Sequence, residues 1–135
     1  MSGNIIRYLR FLYDCGGEAS ITDLAAKFDV KKSTVLDTVR KMVDSGLVVH
    51  PRYSKVKLTE RGVKAAKEAL WRHRVLETWL FSLGFTAEEA CREAERIEAK
   101  VSIEVLKRLC SKFNHPSKCP CGKPIPRFEG CCPKR

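Results

Sequence analysis

The sequence predicts a mainly helical protein with a small β-hairpin and a cysteine-rich tail, and three observations lead to this prediction. Apolar residues recur at helical spacing through most of residues 4–113. Two short β-prone runs, 47–50 and 56–58, interrupt that pattern once and flank a turn, as the strands of a hairpin do. Residues 114–135 hold five of the six prolines and four of the seven cysteines, so this segment is expected to be rich in loops.

The first half of the chain is predicted to contain three helices followed by the hairpin. The helices are expected at residues 4–15, 20–28 and 33–46, with glycines ending the first and the third. The expected N-caps are Ser20 for the second helix and Ser33 or Thr34 for the third. A short helix, a tight turn, a third helix and a basic hairpin follow one another in the order of a winged helix-turn-helix, which we assign to residues 1–62.

The second half is predicted to be helical until the tail begins. A long helix is expected from Thr59 to Leu83, a second one over 86–101, opened by a Thr-x-x-Glu capping box, and a third over 102–113. These elements define a helical domain at 63–113 and a Cys/Pro-rich tail at 114–135. The apolar faces of the helices are expected to bury two further cysteines, Cys15 and Cys110.

The charge of the chain predicts a nucleic-acid partner. Lys and Arg number 26 against 16 acidic residues, which gives a net charge of +10. Residues 31–75 alone contain 12 Lys or Arg and 4 acidic residues. The outward face of the third helix is therefore expected to enter the major groove of double-stranded DNA, with the hairpin against phosphate or the minor groove. The candidate DNA contacts are Lys31, Lys32, Ser33, Thr34, Asp37, Thr38, Arg40, Lys41, Arg52, Lys55 and Lys57.

Other functional classes find little support in the sequence. No run of about 18 apolar residues and no export signal is present, so a cytoplasmic protein without a membrane partner is expected. There is no helical His-Glu-x-x-His, no nucleophile–base set and no phosphate-binding loop, so the protein is not expected to be an enzyme.

Two helices of the second half carry side chains that suit a divalent transition metal. His73 and Glu77 are spaced i, i+4 on one helix, and Cys91, Glu95 and Glu98 are spaced i, i+4, i+7 on the next. Each set shares one helix face, so two facing helices would present an imidazole, carboxylates and a thiol to one point. Mn, Fe, Co or Zn accepts such a donor set.

An ordered set of segments resembles the family of the diphtheria-toxin repressor and the manganese-transport regulator. The set keeps the order and spacing of that family from residue 6 to residue 126. Its members are Tyr8-Leu-Arg-Phe-Leu-Tyr13, Asp23-Leu-Ala-Ala26, Ser33-Thr-Val35, Asp44-Ser-Gly-Leu-Val48, Leu58-Thr-Glu-Arg-Gly62, Arg72-His-Arg74 with Glu77, Glu89-Ala-Cys91, Ile97-Glu98, Val101-Ser102 and Gly122-Lys-Pro-Ile-Pro126.

The resemblance implies a homodimeric repressor whose helical domain serves both dimerisation and metal binding. Members of this type bind Fe(II) or Mn(II), and then bind operators of metal-uptake genes. His73 and Glu77 match metal ligands of the family. Cys91 stands where iron-responsive members have a histidine ligand, and Glu95 and Glu98 also match ligand positions.

Two positions depart from the family pattern. Ala99 stands where the family has a histidine ligand, and Arg7 where it has Met or Asp. An arginine among carboxylates forms charge-assisted hydrogen bonds without a metal. Arg7 is therefore a candidate switch residue that clamps Glu95 or Glu98 and holds the active arrangement. If so, Arg7→Met combined with Ala99→His should make DNA binding metal-dependent.

The tail carries a second candidate site. Four thiols within 14 residues suit a tetrahedral zinc site or an Fe–S cluster, with Cys110 and His115 as spare ligands. Disulfide or redox pairs and unpaired thiols remain the alternatives. The four tail cysteines are Cys119, Cys121, Cys131 and Cys132.

Taken together, the sequence predicts a sequence-specific, metal-responsive transcriptional repressor of metal-uptake or metal-homeostasis genes. Its expected cofactor is Fe(II) or Mn(II), with Zn(II) as a further candidate. Metal ligation would fix the spacing of two recognition helices at about one DNA turn, roughly 34 Å. The alternative is a metal-independent, or redox- or Fe–S-responsive, DNA-binding regulator with a structural zinc or cluster in the tail.

Overall fold

The computed structural model describes residues 3–132, and the chain divides into two compact units between Ala66 and Lys67. The elements are α1 (Gly3–Asp14), β1 (Glu18–Ala19), α2 (Ile21–Phe28), α3 (Lys32–Asp44), β2 (Val48–Val49), β3 (Val56–Leu58), α4 (Glu60–Ser82), α5 (Ala87–Ile97) and α6 (Ile103–Lys112). The predicted fold class is thereby confirmed. The domain boundary expected between residues 62 and 63 stays a prediction. The two compact units of the structure divide a few residues later, within α4.

The first unit is a winged helix-turn-helix built on one apolar core. Helices α1, α2 and α3 pack beside a three-stranded antiparallel sheet in the order β1-β3-β2. One buried stripe from each helix supplies this core, in keeping with the helical period of the apolar residues. Its fully buried members include Leu9, Leu12, Leu24, Val35 and Met42.

The two predicted N-caps of this unit had different outcomes. The Ser20 hydroxyl accepts a hydrogen bond from the Asp23 amide at 3.0 Å, so that cap is confirmed. The expected cap at Ser33 or Thr34 is wrong, because α3 already begins at Lys32. The Lys31 carbonyl accepts from the Thr34 amide at 3.0 Å, so Lys31 is the N-cap and makes no side-chain cap bond.

The hairpin is confirmed, and its outer neighbour β1 was not predicted. The two residues of β1 pair with β3, with Glu18 opposite Lys57. The hairpin leads into α4 through a tight contact at Gly62. A Cβ added at Gly62 would lie 1.9 Å from the Leu47 carbonyl oxygen, so only glycine fits here.

The second unit packs the rest of α4 against α5, α6 and the tail. Its core includes Trp71, Leu76 and Leu106, and the tail residue Ile125 is buried with them. The Phe128 ring stacks on Trp71 with centroids 4.4 Å apart. The tail is thus part of this core.

Two further expectations need correction. Helix α5 was expected over 86–101, but it ends at Ile97, and Glu98 is its C-cap. Cys110 is buried as expected, whereas Cys15 is exposed because it follows the last residue of α1 in a turn. Among the described residues, no helix has the length and apolar character needed to cross a membrane.

Candidate metal centre and DNA-binding surface

A buried imidazole, a buried carboxylate and a thiol meet between α4 and α5. His73 and Glu77 lie one turn apart on α4, and His73 Nε2 is 2.8 Å from Glu77 Oε1. Cys91, on α5, places its Sγ 3.5 Å from the same ring nitrogen. The three donor atoms lie within 4.8 Å of one another. We call His73, Glu77 and Cys91 the His73 centre.

Glu98 contacts the opposite side of the His73 ring. Its Oε2 is 2.7 Å from His73 Nδ1, and its side chain is 1% exposed. When Nδ1–H donates to this carboxylate, the neutral ring presents the Nε2 lone pair to Glu77 and Cys91. Glu98 therefore orients the imidazole, in the manner of the carboxylates that support metal-bound histidines.

The position of Glu98 depends on an arginine of α4. The Arg72 guanidinium donates to the Glu98 carbonyl at 3.0 Å and to the Val101 carbonyl at 2.6 Å. A cation at this place satisfies carbonyls that the end of a helix leaves without partners. Arg72 thereby fixes the segment that carries Glu98, a role that the sequence analysis did not assign.

Two other predicted site residues are not among the three donors of the His73 centre. Glu95 is exposed and does not join the donor group of the His73 centre. Arg7 belongs to the first unit, where its guanidinium lies 5.0 Å from the centre of the Phe28 ring. The hypothesis that Arg7 clamps Glu95 or Glu98 remains a prediction. The absence of a family histidine ligand at Ala99 likewise has an untested effect on metal binding.

The structure divides the four tail cysteines between two groups. Cys121 Sγ lies 3.8 Å from Glu77 Oε2 and 2.7 Å from Cys119 Sγ. Burial raises the pKa of the Cys119 thiol to about 11, and its contact with Cys121 adds to the shift. The sequence grouped all four thiols by their proximity along the chain, but the turn at 119–122 directs the first pair toward α4.

Cys131 and Cys132 form the second group with Cys110 and His115. Burial also raises the pKa of Cys110, to about 12, against the opposing effect of a hydrogen bond from Trp71. Neither group contains a disulfide bond.

The predicted DNA-contacting residues of α3 form an exposed surface. Lys31 to Thr34, Asp37, Arg40 and Lys41 are all exposed. Thr38 is half-buried, and its hydroxyl donates to the Thr34 carbonyl at 3.3 Å. This bond engages the hydroxyl within the helix, so Thr38 is the least accessible of the set.

The hairpin turn presents cations together with an aromatic ring that the sequence analysis left out of the site. Tyr53 is 95% exposed and has a φ of 58°, and the Arg52 guanidinium lies 5.4 Å from its ring centre. The sequence does indicate such a role for Tyr53, because an aromatic residue lies in the turn together with two cations, Arg52 and Lys55. Lys55 and Lys57 are exposed but lie 3.9 and 3.8 Å from the Glu18 carboxylate, which partly offsets their charge.

Comparison with known proteins decides the family. Residues 1–56 match the family model of the iron-dependent repressor N-terminal DNA-binding domain. Residues 59–127 match that of the iron-dependent repressor metal-binding and dimerisation domain. The chain belongs to the iron-dependent repressor family.

Relatives of this iron-dependent repressor family member include two bacterial regulators. The Escherichia coli transcriptional regulator MntR is 38% identical over 90 residues, covering 67% of this chain and 58% of its own length. The Mycobacterium tuberculosis iron-dependent repressor IdeR is 36% identical over 124 residues, covering 88% of this chain and 54% of its own length. The chain thus spans little more than half the length of these relatives.

A solved structure supports the same assignment. A manganese-dependent transcriptional repressor in complex with manganese matches with a TM-score of 0.84 and 34% sequence identity. The match covers 97% of this chain and 62% of the repressor chain. The predicted resemblance to the repressor family is confirmed.

Proposed function

We propose that the chain is a homodimeric, metal-responsive repressor that binds the operators of metal-uptake or metal-homeostasis genes. The observation that carries this proposal is the His73 centre, a donor set of two buried residues and one half-buried residue inside the segment that matches the metal-binding domain of the family. A basic, exposed recognition helix precedes it in the segment that matches the DNA-binding domain.

The residues of the His73 centre fit a divalent metal ion. His73 would hold it through Nε2, Glu77 through a carboxylate oxygen and Cys91 through Sγ. These atoms already lie within 4.8 Å of one another, and Glu98 keeps the imidazole in a fixed orientation. A bound ion would offset the charge of the Glu77 carboxylate and would link α4 to α5.

The donor types favour Fe(II) over Mn(II). Mn(II) prefers oxygen donors, whereas imidazole and thiolate suit iron and zinc. The Cys91 thiol, 3.5 Å from His73 Nε2, thus favours the softer ions. We infer that Fe(II) is the physiological ligand and that Zn(II) competes for the same centre.

DNA recognition is assigned to α3 and the hairpin turn. A major groove about 12 Å wide admits one α-helix, and the exposed polar face of α3 carries the side chains to read it. Arg52 and Tyr53 at the hairpin turn would contact the backbone or the minor groove. Operator binding then gains a salt-dependent affinity from the net charge of +10.

Dimerisation of the second unit is supported by apolar side chains near the end of α4. Phe81, Leu83 and Phe85 are exposed and lie within five residues of one another. Large exposed apolar side chains grouped in this way along the chain are typical of a protein interface. We expect a dimer in analytical ultracentrifugation, and a monomer for the Phe81→Ser, Leu83→Ser double variant.

The test is anaerobic fluorescence anisotropy with DNA from the region upstream of the protein's own gene. Binding is measured at fixed salt with metal-stripped protein, and then with Fe(II), Mn(II) or Zn(II). The proposal predicts at least about a tenfold gain with Fe(II), which corresponds to roughly 1.4 kcal/mol of coupling. Cys91→Ser should lose most of this gain, and the control Cys15→Ser should retain it.

Tight operator binding that no metal changes would contradict the proposal. That result would instead support the metal-independent or cluster-responsive regulator. We do not favour this alternative, because relatives of the chain carry metal-dependent repressor names and its own imidazole, carboxylate and thiol converge.

A further inference from the structure

Four metal-binding side chains outside the His73 centre converge where the tail returns to α6. Cys110 lies on α6, His115 follows that helix, and Cys131 and Cys132 come near the end of the described chain. Their three Sγ atoms and one ring nitrogen lie within 4.8 Å of one another. We call these four residues the tail cluster. It shares no residue with the His73 centre.

The spacing of the donor atoms matches tetrahedral coordination. Cys110 Sγ lies 3.8 Å from Cys132 Sγ and 3.3 Å from His115 Nδ1, and Cys131 Sγ lies 3.8 Å from the same nitrogen. Zinc bonds of about 2.3 Å to sulfur and about 2.0–2.1 Å to nitrogen place neighbouring ligand atoms roughly 3.5–3.8 Å apart. A disulfide requires sulfur atoms about 2.05 Å apart, so the cluster has the spacing of ligands and not of a bridge.

A left-handed backbone conformation at residues 114–115 places His115 beside the cysteines of the tail cluster. Asn114 and His115 have φ values of 58° and 51°, a region that non-glycine residues seldom adopt. The His115 amide donates to the Cys110 carbonyl at 2.8 Å, which closes the turn. Two consecutive residues of this type persist only when their surroundings hold them, and such residues cluster at functional sites.

A second turn positions the paired cysteines. The amides of Cys131 and Cys132 both donate to the Phe128 carbonyl, at 3.1 and 3.0 Å, directly after Gly130, whose φ is 92°. This turn brings both sulfurs into one group even though the residues are adjacent in sequence. Phe128 stacks on Trp71, so the turn is anchored to the core.

The surroundings of the cluster suit a bound thiolate. The Trp71 indole N–H donates to Cys110 Sγ at 3.4 Å, a contact of the kind that supports metal-bound sulfur. A surface cavity of about 170 Å³, lined in part by His115 and Cys132, gives an ion access to the site.

We propose that Cys110, His115, Cys131 and Cys132 bind one zinc ion in a structural Cys₃His site that fastens the end of the tail to α6. Four protein ligands leave no open coordination position, which distinguishes a structural zinc site from a catalytic one. On binding, the three thiols release their protons to solvent and His115 contributes the lone pair of Nδ1. The ion thereby stabilises a segment with little regular secondary structure.

The test is a metal titration of the full chain under anaerobic conditions. The Cys91→Ser variant is the background, because it removes the only thiol of the His73 centre. Metal-stripped protein is titrated with Co(II) and then with Zn(II). We expect one equivalent of Co(II) to show thiolate-to-cobalt charge-transfer absorption with tetrahedral ligand-field bands, and Zn(II) to displace it.

Matched cysteine variants assign the signal. Cys131→Ser and Cys132→Ser should each weaken Zn(II) binding by more than about a hundredfold, beyond the range for residues that only support a ligand. Cys15→Ser and Cys121→Ser should leave the affinity and the spectrum unchanged. An unchanged spectrum in Cys131→Ser and Cys132→Ser would overturn the proposal, as would iron with acid-labile sulfide in anaerobically purified protein.

Alkylation of the wild-type chain keeps the test decisive if a variant fails to fold. Two equivalents of Zn(II), enough to fill the His73 centre as well, should protect Cys131 and Cys132 from a thiol reagent followed by mass spectrometry. Cys15 and Cys121 are exposed and should react at the same rate with and without zinc. Equal reaction of Cys131 and Cys132 in both states would refute the assignment.

Discussion

The replacement Glu98→Gln tests whether this carboxylate orients His73 or binds the metal itself. Glu98 Oε2 lies 2.7 Å from His73 Nδ1 and the side chain is 1% exposed, so the bond is short and shielded from water. A hydrogen bond to a charged group contributes about 1.5–3 kcal/mol and a neutral one about 0.5–1.5 kcal/mol. The glutamine amide oxygen can still accept from Nδ1–H, so the expected loss is about 1–1.5 kcal/mol, or roughly tenfold in metal affinity.

Two matched carboxylate variants provide the comparison for the loss of metal affinity expected in Glu98→Gln. Glu77→Gln removes a charged donor of the His73 centre and should weaken binding by more than about a hundredfold, beyond the effect of an orienting residue. Glu88→Gln changes an exposed residue of the neighbouring helix and should have less than about a twofold effect. The assay is anaerobic calorimetric titration with Mn(II), since the three thiols of the tail cluster do not suit this ion.

The outcomes separate the two roles of Glu98. Equal losses in Glu98→Gln and Glu77→Gln would mean that Glu98 is a direct ligand and that the orientation argument is wrong. An unchanged affinity in Glu98→Gln would show that the bond to His73 does not support metal binding.

Two further predictions concern the first unit. Gly62→Ala should lower the free energy of unfolding by more than about 2 kcal/mol, because its Cβ would lie 1.9 Å from the Leu47 carbonyl oxygen. Gly3→Ala, with open space around the added carbon, is the control for urea denaturation and should stay within about 0.5 kcal/mol. Arg52→Ala should weaken binding to all DNA sequences alike and reduce the slope of log affinity against log salt by about 1.

The elements that local chemistry determines could be predicted from the sequence. The Ser20 cap and the Thr86–Glu89 capping box were both predictable, because each bond joins a side chain to the backbone amide three residues away. Strand β1 was not, since a two-residue strand has no periodicity and exists only through its pairing with β3.

The candidate metal centre followed from the sequence only in part. His73 and Glu77 could be paired because i, i+4 spacing on a helix brings side chains together. The i, i+4, i+7 spacing also grouped Glu95 with Glu98, but it could not show that Glu95 is exposed while Glu98 reaches the far side of the imidazole. Which ring nitrogen a carboxylate meets depends on the packing of two helices and not on the spacing within one.

The tail shows the same limit at a longer range. Proximity along the chain grouped Cys119 and Cys121 with the cysteines ten residues later. The structure pairs Cys131 and Cys132 instead with Cys110 and His115. The left-handed turn at residues 114–115 produces this arrangement. Asn114, directly after the C-cap of α6, indicates a left-handed residue, but it does not indicate which side chains the turn brings together.

The central claim is that metal binding and operator binding are coupled, and reciprocal affinities test it most directly. The Fe(II) affinity of the His73 centre is measured by anaerobic titration with and without a saturating amount of operator DNA. Thermodynamic linkage requires the DNA to strengthen Fe(II) binding by the same factor by which Fe(II) strengthens DNA binding. The account predicts a factor of at least about ten in both directions, lost in Cys91→Ser and kept in Cys15→Ser. The same Fe(II) affinity with and without operator would contradict the account, because the metal would then be bound without regulating the protein.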